Sequence, residues 1–269
     1  MKKLLYILIL QLFSQGLAAT AQAPDILYYN GDTLSLFCNP LESYFDETNP
    51  RPKLIVPGVN CMSTACWRGY IAFWQIENDS LFLLRIEDCC QNSIPIKADL
   101  SLLFGDKVIN GRVYADWCNG ELYSPLGKLI HYEHMGYASI YEKELFITFK
   151  QGIFQFSEIL DNSKSRVSEY QENSKKLSEF IYTNLDCTRF KQHEGENIRI
   201  FAHLYTDSLG KPDSIFIRKS SHPQFDAEII RIIKLLPEWT IYYRHGKPEK
   251  SRWIVPIKIL ADELEQYCP

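Results

Sequence analysis

Eight cysteines constrain the fold of this chain more than any other feature of its sequence. In an oxidising compartment an even number of cysteines predicts disulfide bonds, but spacing alone does not fix which residues pair. Cys61 and Cys66 are close enough to close a small loop. Adjacent Cys89 and Cys90 are expected to bond to different partners, because a bridge between neighbours strains the peptide that joins them. The candidates for pairing in the first half of the chain are Cys38, Cys61, Cys66, Cys89, Cys90 and Cys118.

The N-terminus predicts that the chain enters such a compartment. Two lysines precede an apolar run from Leu4 to Phe13, and small residues follow it. This is the layout of a signal peptide, which we place at residues 1–21 with cleavage after Ala21. Ten apolar residues are too few to span a bilayer, which requires about 20. We therefore expect a periplasmic or secreted protein, with no transmembrane segment after signal removal.

Charge divides the chain into two parts. Residues 24–157 contain ten basic and sixteen acidic side chains, whereas residues 158–269 contain seventeen of each. Neither part is basic enough to predict binding of nucleic acid. The hydrophobic content of 46% is sufficient for a core in each part, so we expect two domains.

The first part, residues 22–156, has the pattern of an antiparallel β domain, either a sheet or a barrel of roughly six strands. Residues 67–76 and 80–87 are strand-like and flank a short polar turn, which predicts a hairpin. A second hairpin is predicted around Asn119 and Gly120, a strong turn signal. The stretches STACWRGYIAFW and HMGYASIYEKELFITFK resemble uncharacterised secreted bacterial proteins, and this resemblance implies no activity.

Four side chains of this domain, Cys61, Cys66, His131 and His134, suggest two kinds of site. With Cys89 and Cys90 they offer ligands for zinc, but the cysteines lack C-x2-C spacing and the histidines would face opposite ways on a strand. As nucleophile and base they would suit an exported hydrolase or a thiol redox protein. The sequence contains no Gly-x-Ser-x-Gly, His-Glu-x-x-His or phosphate-binding glycine loop. We therefore expect no metal, no cofactor and no catalytic residue, and keep the hydrolase or redox protein as the alternative.

Residues 157–185 predict a helical connector. Their apolar residues recur at intervals of three, four and seven among alternating charges. We expect one helix, or two in succession, with a single apolar stripe that lies on a neighbouring sheet.

The C-terminal part carries the most specific pattern of the chain. Strands are predicted at 197–207 and 212–221, a helix opens at Pro223, and a last strand covers 252–260. This last strand contains Pro256. Because proline has no N–H to donate to a ladder, it is confined to sheet edges and bulges, so we expect an edge strand.

This order of elements resembles the C-terminal domain of the TonB family over residues 176–262. The matching positions include Gly210 in the turn, Lys219 and Ser220 at the end of the second strand, and Phe225 and Asp226 at the start of the helix. The remaining motif residues are Leu236, Pro237, Trp239, Gly246, Lys247, Pro248 and Pro256.

The resemblance implies a small α+β domain in which helices cover one face of a three-stranded antiparallel sheet. In that family the last strand is a free edge, which captures an extended peptide of an outer-membrane receptor by strand addition. Carried over to this chain, the partner-binding strand consists of Arg252, Trp253, Ile254, Val255, Ile257, Lys258 and Ile259. The basic residues that favour an acidic peptide are Arg244, Lys247, Lys250, Arg252 and Lys258.

We therefore expect an α+β protein with an N-terminal β module, a helical connector and a TonB-like C-terminal domain. We expect it to act as a binding or adaptor protein of the cell envelope, with a role in transport. Its expected partner is an envelope protein or a receptor peptide. TonB has a membrane anchor and a long proline-rich spacer, and we expect neither here. Peptide binding is thus expected rather than energy transduction.

Overall fold

The computed structural model describes residues 21–90, 94–189 and 195–268. The predicted signal peptide, residues 1–21, lies outside these residues except for Ala21. The chain divides into two compact units, Met1–Leu160 and Asp161–Pro269. The fold is mixed α+β, with many strands, few helices and open sheets. Within the described ranges, no helix is long and apolar enough to cross a membrane.

The first unit is built around one large sheet. Its described elements are β1 (Asp25–Tyr29), β2 (Asp32–Leu36), β3 (Tyr70–Glu77), β4 (Ser80–Asp88), α1 (Leu100–Phe104), β5 (Val108–Ile109), β6 (Arg112–Tyr114), β7 (Gly120–His131), β8 (Ile140–Lys150) and β9 (Ile153–Asp161), which ends at the boundary of the unit.

The strand order is β2-β1-β3-β4-β9-β8-β7, and β6 pairs with both β4 and β5. The strand pairs are antiparallel, with the exception that β1 and β3 run parallel. The sheet is open, although the N–H of Phe37, just after β2, donates to the C=O of Tyr123 in β7 at 2.8 Å. An open sheet is one of the two predicted forms, but in the described residues it has nine strands instead of roughly six and is not wholly antiparallel.

Local turn signals explain part of this topology. The predicted hairpin of β3 and β4 is confirmed, and its turn residues Asn78 and Asp79 both have positive φ, as a two-residue type I′ turn requires. The predicted hairpin at Asn119 and Gly120 is wrong. β6 pairs with β4 and β7 pairs with β8, because long-range partners compete successfully with the chain neighbour.

A buried ion pair lies in the core of the first unit. Oδ1 of Asp25 and Nη2 of Arg68 are 3.1 Å apart, and both side chains are fully buried. Asp25 also accepts hydrogen bonds from the N–H of Ala72 and from Nε1 of Trp74, both on β3. Burial raises the pKa of Asp25 to about 6, because desolvation outweighs the opposing effect of Arg68. At pH 7 the ionised carboxylate therefore joins β1 to β3 and to the loop that precedes it.

The prediction of disulfide bonds is confirmed for six cysteines. Cα–Cα distances are 5.0 Å for Cys61–Cys90, 6.6 Å for Cys66–Cys89 and 5.2 Å for Cys187–Cys268. Cys89 and Cys90 thus bond to different partners, as expected. The small loop between Cys61 and Cys66 is not closed by a disulfide. Backbone hydrogen bonds between Ser63 and Cys66 already close that turn, which leaves both sulfurs free to reach the end of β4.

Two of the candidate disulfide cysteines were wrongly predicted to pair, because Cys38 and Cys118 are free thiols. Burial raises the pKa of Cys38 to about 12 and that of Cys118 to about 11. A thiol with such a pKa is protonated at neutral pH. Both side chains therefore act as small apolar groups that pack with the core of the first unit.

The second unit combines a small sheet with helices. Its described elements are α2 (Glu169–Glu172), α3 (Ser174–Thr183), β10 (Ile198–Thr206), β11 (Pro212–Ser220), α4 (Asp226–Lys234), β12 (Tyr243–Arg244), β13 (Lys247–Pro248), β14 (Arg252–Ile259) and α5 (Ala261–Tyr267). The sheet has the order β11-β10-β14, and β12 pairs with β13.

The predicted connector, residues 157–185, is partly wrong. The residues up to Asp161 belong to β9, since the turn at Gln151 and Gly152 folds the chain back beside β8 and continues the strand pattern. The helices begin only at Glu169, where Ser168 accepts a hydrogen bond from the N–H of Tyr170. The apolar stripe of α3 is buried in the core of the second unit, together with residues of β10, α4 and β14.

Gly210 lies in the turn between β10 and β11, where its Cα closely approaches the backbone of Trp239. Its φ is +81°, and a Cβ atom would lie 2.8 Å from the carbonyl oxygen of Trp239. We expect Gly210→Ala to lower the free energy of unfolding of the second unit by about 2 kcal/mol, through backbone strain and this contact. Gly195→Ala is the control, because Gly195 also has positive φ but has open space around it. Chemical denaturation of both variants checks the prediction, and equal losses would contradict it.

Candidate functional site

Strand β14 lies at one end of the C-terminal sheet. It pairs with β10 in eight uninterrupted antiparallel pairs, from Arg252 opposite Tyr205 to Ile259 opposite Ile198. In the described parts of the chain, no strand pairs with its other edge. The prediction that the strand containing Pro256 is an edge strand is therefore confirmed.

The backbone groups of β14 alternate between this pairing and the open edge. The C=O of Arg199 accepts from the N–H of Ser221, and the N–H of Arg199 donates to Oγ of Ser221, so the backbone of Arg199 points toward β11. Successive residues of a strand direct these groups to opposite neighbours, so Ile200 bonds with its partner Ile257 in β14. The nitrogen of Pro256 then points outward, where no donor is required.

The outward backbone groups belong to every second residue. Four residues direct their C=O groups outward: Arg252, Ile254, Pro256 and Lys258. All of them except the proline also direct an N–H group outward. The groups of the residues between them bond to β10. Of the predicted partner-binding strand, four residues therefore use their backbone groups within the sheet, namely Trp253, Val255, Ile257 and Ile259.

Side chains of β14 alternate in the same way between the core and solvent. Val255, Ile257 and Ile259 are buried in the core of the second unit, and Trp253 is half-buried beside Tyr242. The other face is exposed, and Ile254 keeps 62% of its surface accessible. Three of the seven predicted partner-binding residues thus combine an outward backbone with an exposed side chain: Arg252, Ile254 and Lys258.

The motif residues from Leu236 to Pro256 lie outside β14, except for Pro256 itself, and only two of them are buried. Leu236 and Trp239 are buried in the core, and the N–H of Trp239 donates to the C=O of Gly210. Pro237 is exposed in the turn that follows α4. The exposed residues of the short hairpin that leads into β14 are Gly246, Lys247 and Pro248.

The predicted basic residues are not equivalent. Arg244 lies 3.6 Å from the carboxylate of Glu249, so its charge is partly neutralised. Lys247 and Lys250 precede the strand, and only Arg252 and Lys258 lie on β14 itself.

A cavity of about 470 Å³ opens at the hairpin end of the sheet. Tyr205 and Phe216 contribute their rings to its lining, in an edge-on contact with centroids 6.2 Å apart. Carboxylates and one lysine complete the charged part of the lining, namely Asp207, Asp213, Glu249 and Lys250.

The candidate cysteine and histidine site of the first unit is not assembled. Cys61 and Cys66 are held in disulfides, so neither offers a thiolate. His131 ends β7 and lies 3.4 Å from Glu133, while the ring of His134 contacts that of Tyr132. Cys61, Asp88 and Cys90 cluster closely enough for a metal ion, but the disulfide uses both sulfurs.

One arrangement escaped the sequence analysis. Oγ of Ser221 and Nδ1 of His222 are 2.7 Å apart, and Nε2 of His222 is 2.7 Å from Glu196. These are the groups of a hydrolase triad, but adjacent Ser221 and His222 follow β11 directly and the serine oxygen accepts from the N–H of Arg199. The contacts therefore close the end of the β10–β11 pair. The sequence signal was the Ser-Ser-His-Pro stretch before the helix.

Comparison with known proteins found no matching protein-family model, no matching curated protein and no matching solved structure.

Proposed function

We propose that the second unit captures an extended segment of a partner protein as a fourth strand on the outer edge of β14. The protein would act as an exported adaptor of the cell envelope, with the disulfide-bonded β unit attached to this TonB-like binding unit. The observation that carries the proposal is the open edge of β14, which keeps ladder groups unpaired beside a complete pairing with β10. Such an edge is the template for strand addition.

The edge has neither of two common protections against pairing. Strands that avoid partners are often very short or interrupted by a bulge. β14 has eight residues and shows no register shift against β10. Pro256 removes a single donor, and the outward N–H groups on both sides of it remain.

The alternative of a hydrolase or thiol redox protein has less support. It requires a free thiol at Cys61 or Cys66, and both sulfurs form disulfides. The two thiols that remain, Cys38 and Cys118, have raised pKa values because they are buried.

Ile254→Pro tests the proposal at the backbone. We expect full-length Ile254→Pro to fold, because Pro256 already occupies an equivalent outward position, and to lose affinity for a captured peptide by about tenfold or more through the lost donor. Peptides selected from a displayed library of random twelve-residue sequences on the wild-type chain serve as the probe. Binding is measured by fluorescence anisotropy.

Ile254→Ala is the matched control, because alanine shortens the same side chain but keeps the N–H group. It should lose clearly less affinity than Ile254→Pro, since it gives up part of a side-chain contact but keeps the N–H donor. Selected peptides that bind Ile254→Pro as tightly as wild type would contradict strand addition at this edge, and so would a library from which nothing is enriched on wild type.

A further inference from the structure

The exposed face of the C-terminal sheet carries three large apolar side chains around His203. Phe201, Phe216 and Ile254 keep 41%, 60% and 62% of their surfaces accessible, on the side opposite to the helices. Phe216 and Ile254 flank His203, which lies opposite both of them, and Phe201 lies opposite Pro256. This apolar face continues directly into the open edge of β14.

The strands of this sheet carry mainly positive charge. The three strands contain five basic residues and one acidic residue, Asp213, which lies at the start of β11. Arg199 and Lys258 are directly opposite each other. Like charges in opposite positions destabilise a sheet pair, and an anion bound beside them would relieve this repulsion. The basic residues of the sheet are Arg199, Arg218, Lys219, Arg252 and Lys258.

The two ends of the face differ. Arg199, Lys258 and Lys219 lie toward the end where β14 finishes, and Lys219 is opposite Phe201. The other end opens into the cavity that Asp207, Asp213 and Glu249 line. Carboxylates of a segment that crosses the face are therefore attracted at the end where β14 finishes, whereas the cavity end mixes these acidic side chains with Lys250 and Arg252.

We propose that this face, which we call the basic sheet face (β10, β11 and β14 on the side of Phe201), binds an acidic, amphipathic segment of the same partner that β14 captures. Its apolar side chains cover Phe201, Phe216 and Ile254, and its carboxylates lie beside Arg199, Lys219 and Lys258. The inference rests on the proposed strand capture, and it adds a second surface and the chemical class of the partner segment.

Library selection on the full chain tests the class of the segment. Sequences enriched on wild type should carry several aspartate or glutamate residues next to apolar ones. Arg199→Glu/Lys258→Glu should lower the affinity of these sequences by about tenfold or more at low salt, because repulsion replaces attraction. A new selection on the double variant should enrich lysine and arginine instead. The control is Lys175→Glu/Lys234→Glu, which makes the same charge change on the helices and should leave affinity unchanged.

Arg199→Glu alone separates binding from folding. It places opposite charges across β10 and β14, so the midpoint of thermal unfolding should stay constant or rise while the affinity falls. The selection on wild type could instead enrich neutral or basic sequences whose binding still depends on the N–H of Ile254. That result would overturn the basic sheet face but leave strand capture intact. Equal binding by Ile254→Pro would overturn strand capture itself. Binding to phosphatidylglycerol vesicles without any peptide enrichment would assign the face to a lipid surface and overturn the inference.

Discussion

Arg68→Met is expected to destabilise the first unit by about 3–5 kcal/mol, the usual cost of removing one partner of a buried ion pair. The loss arises less from the missing attraction than from the carboxylate of Asp25, which stays buried without a counterion. Nη1 of Arg68 also donates to Tyr137 at 2.8 Å, and Nη2 donates to the C=O of Ala23 at 3.0 Å. The substitution therefore also loosens the segment before β1.

The pH dependence of this variant identifies the cause. In wild type, burial raises the pKa of Asp25 from an ordinary value of 3.8 to about 6. Protonation of Asp25 therefore adds its full contribution to the free energy of unfolding below pH 3.8, and this contribution is lost as pH rises through about 6. Without Arg68 the pKa of Asp25 rises further. The loss of stability in Arg68→Met should therefore be largest above pH 7. It should be smaller near pH 5, where Asp25 is protonated in both wild type and variant.

Hydrogen exchange of the β3 amides measures the stability of the first unit in the full chain. Lys107→Met is the control, because the side chains of Lys107 and its partner Asp116 are 48% and 49% exposed. It should cost less than about 1 kcal/mol. A deficit in Arg68→Met that is small, or that does not change between pH 5 and pH 7.5, would show that the buried pair does not anchor the unit.

Cys187→Ser/Cys268→Ser is expected to destabilise the second unit by about 4 kcal/mol, since this disulfide closes the longest loop among the three. The bond joins the residues after α3 to the last turn of the chain, 81 positions away. The loop contains all of β10, β11, α4 and β14. Without it, α5 keeps only contacts such as the stacking of Tyr267 on Tyr182, with ring centroids 4.9 Å apart.

The first unit provides the internal control for this variant, because its own disulfides remain in place. Protection of the β3 amides should not change, while that of β10 and α4 should fall. If the double variant retains the denaturation midpoint of the second unit, the bridge contributes no stability and the helix α5 is held by its packing alone.

Sequence patterns placed β10, β11, α4 and β14 close to their observed bounds, because the alternation and periodicity of their apolar residues are local signals. The apolar positions of α4 and of the residues that flank it are three and four residues apart, and they are buried: Phe225, Ile229, Ile232, Ile233 and Leu236. The proline in β14 identified an edge, because its chemistry excludes the interior of a sheet. Phe201 and Arg199 were missed as surface residues, although their alternation with Ile198, Ile200 and Ala202 carries that signal.

The first unit was less predictable because its key contacts are distant in sequence. Asp25 and Arg68 are 43 residues apart, and no local pattern relates them. The hairpin of β1 and β2 could have been found, since Asn30 and Gly31 form a two-residue turn between strand-like segments. The Asn119 and Gly120 signal failed for the opposite reason, because Oδ1 of Asn119 accepts from the N–H of Gln151 and Gly120 starts β7.

Hydrogen exchange of single amides in β14, followed by NMR with and without a selected peptide, tests the central claim most directly. The N–H groups of Ile254 and Lys258 point outward and should exchange rapidly in the free protein, whereas those of Val255 and Ile257 bond to β10 and should exchange slowly. With the peptide bound, Ile254 and Lys258 should become protected while Val255 and Ile257 change little. Saturating peptide that leaves Ile254 and Lys258 unprotected would show that β14 does not receive a partner strand.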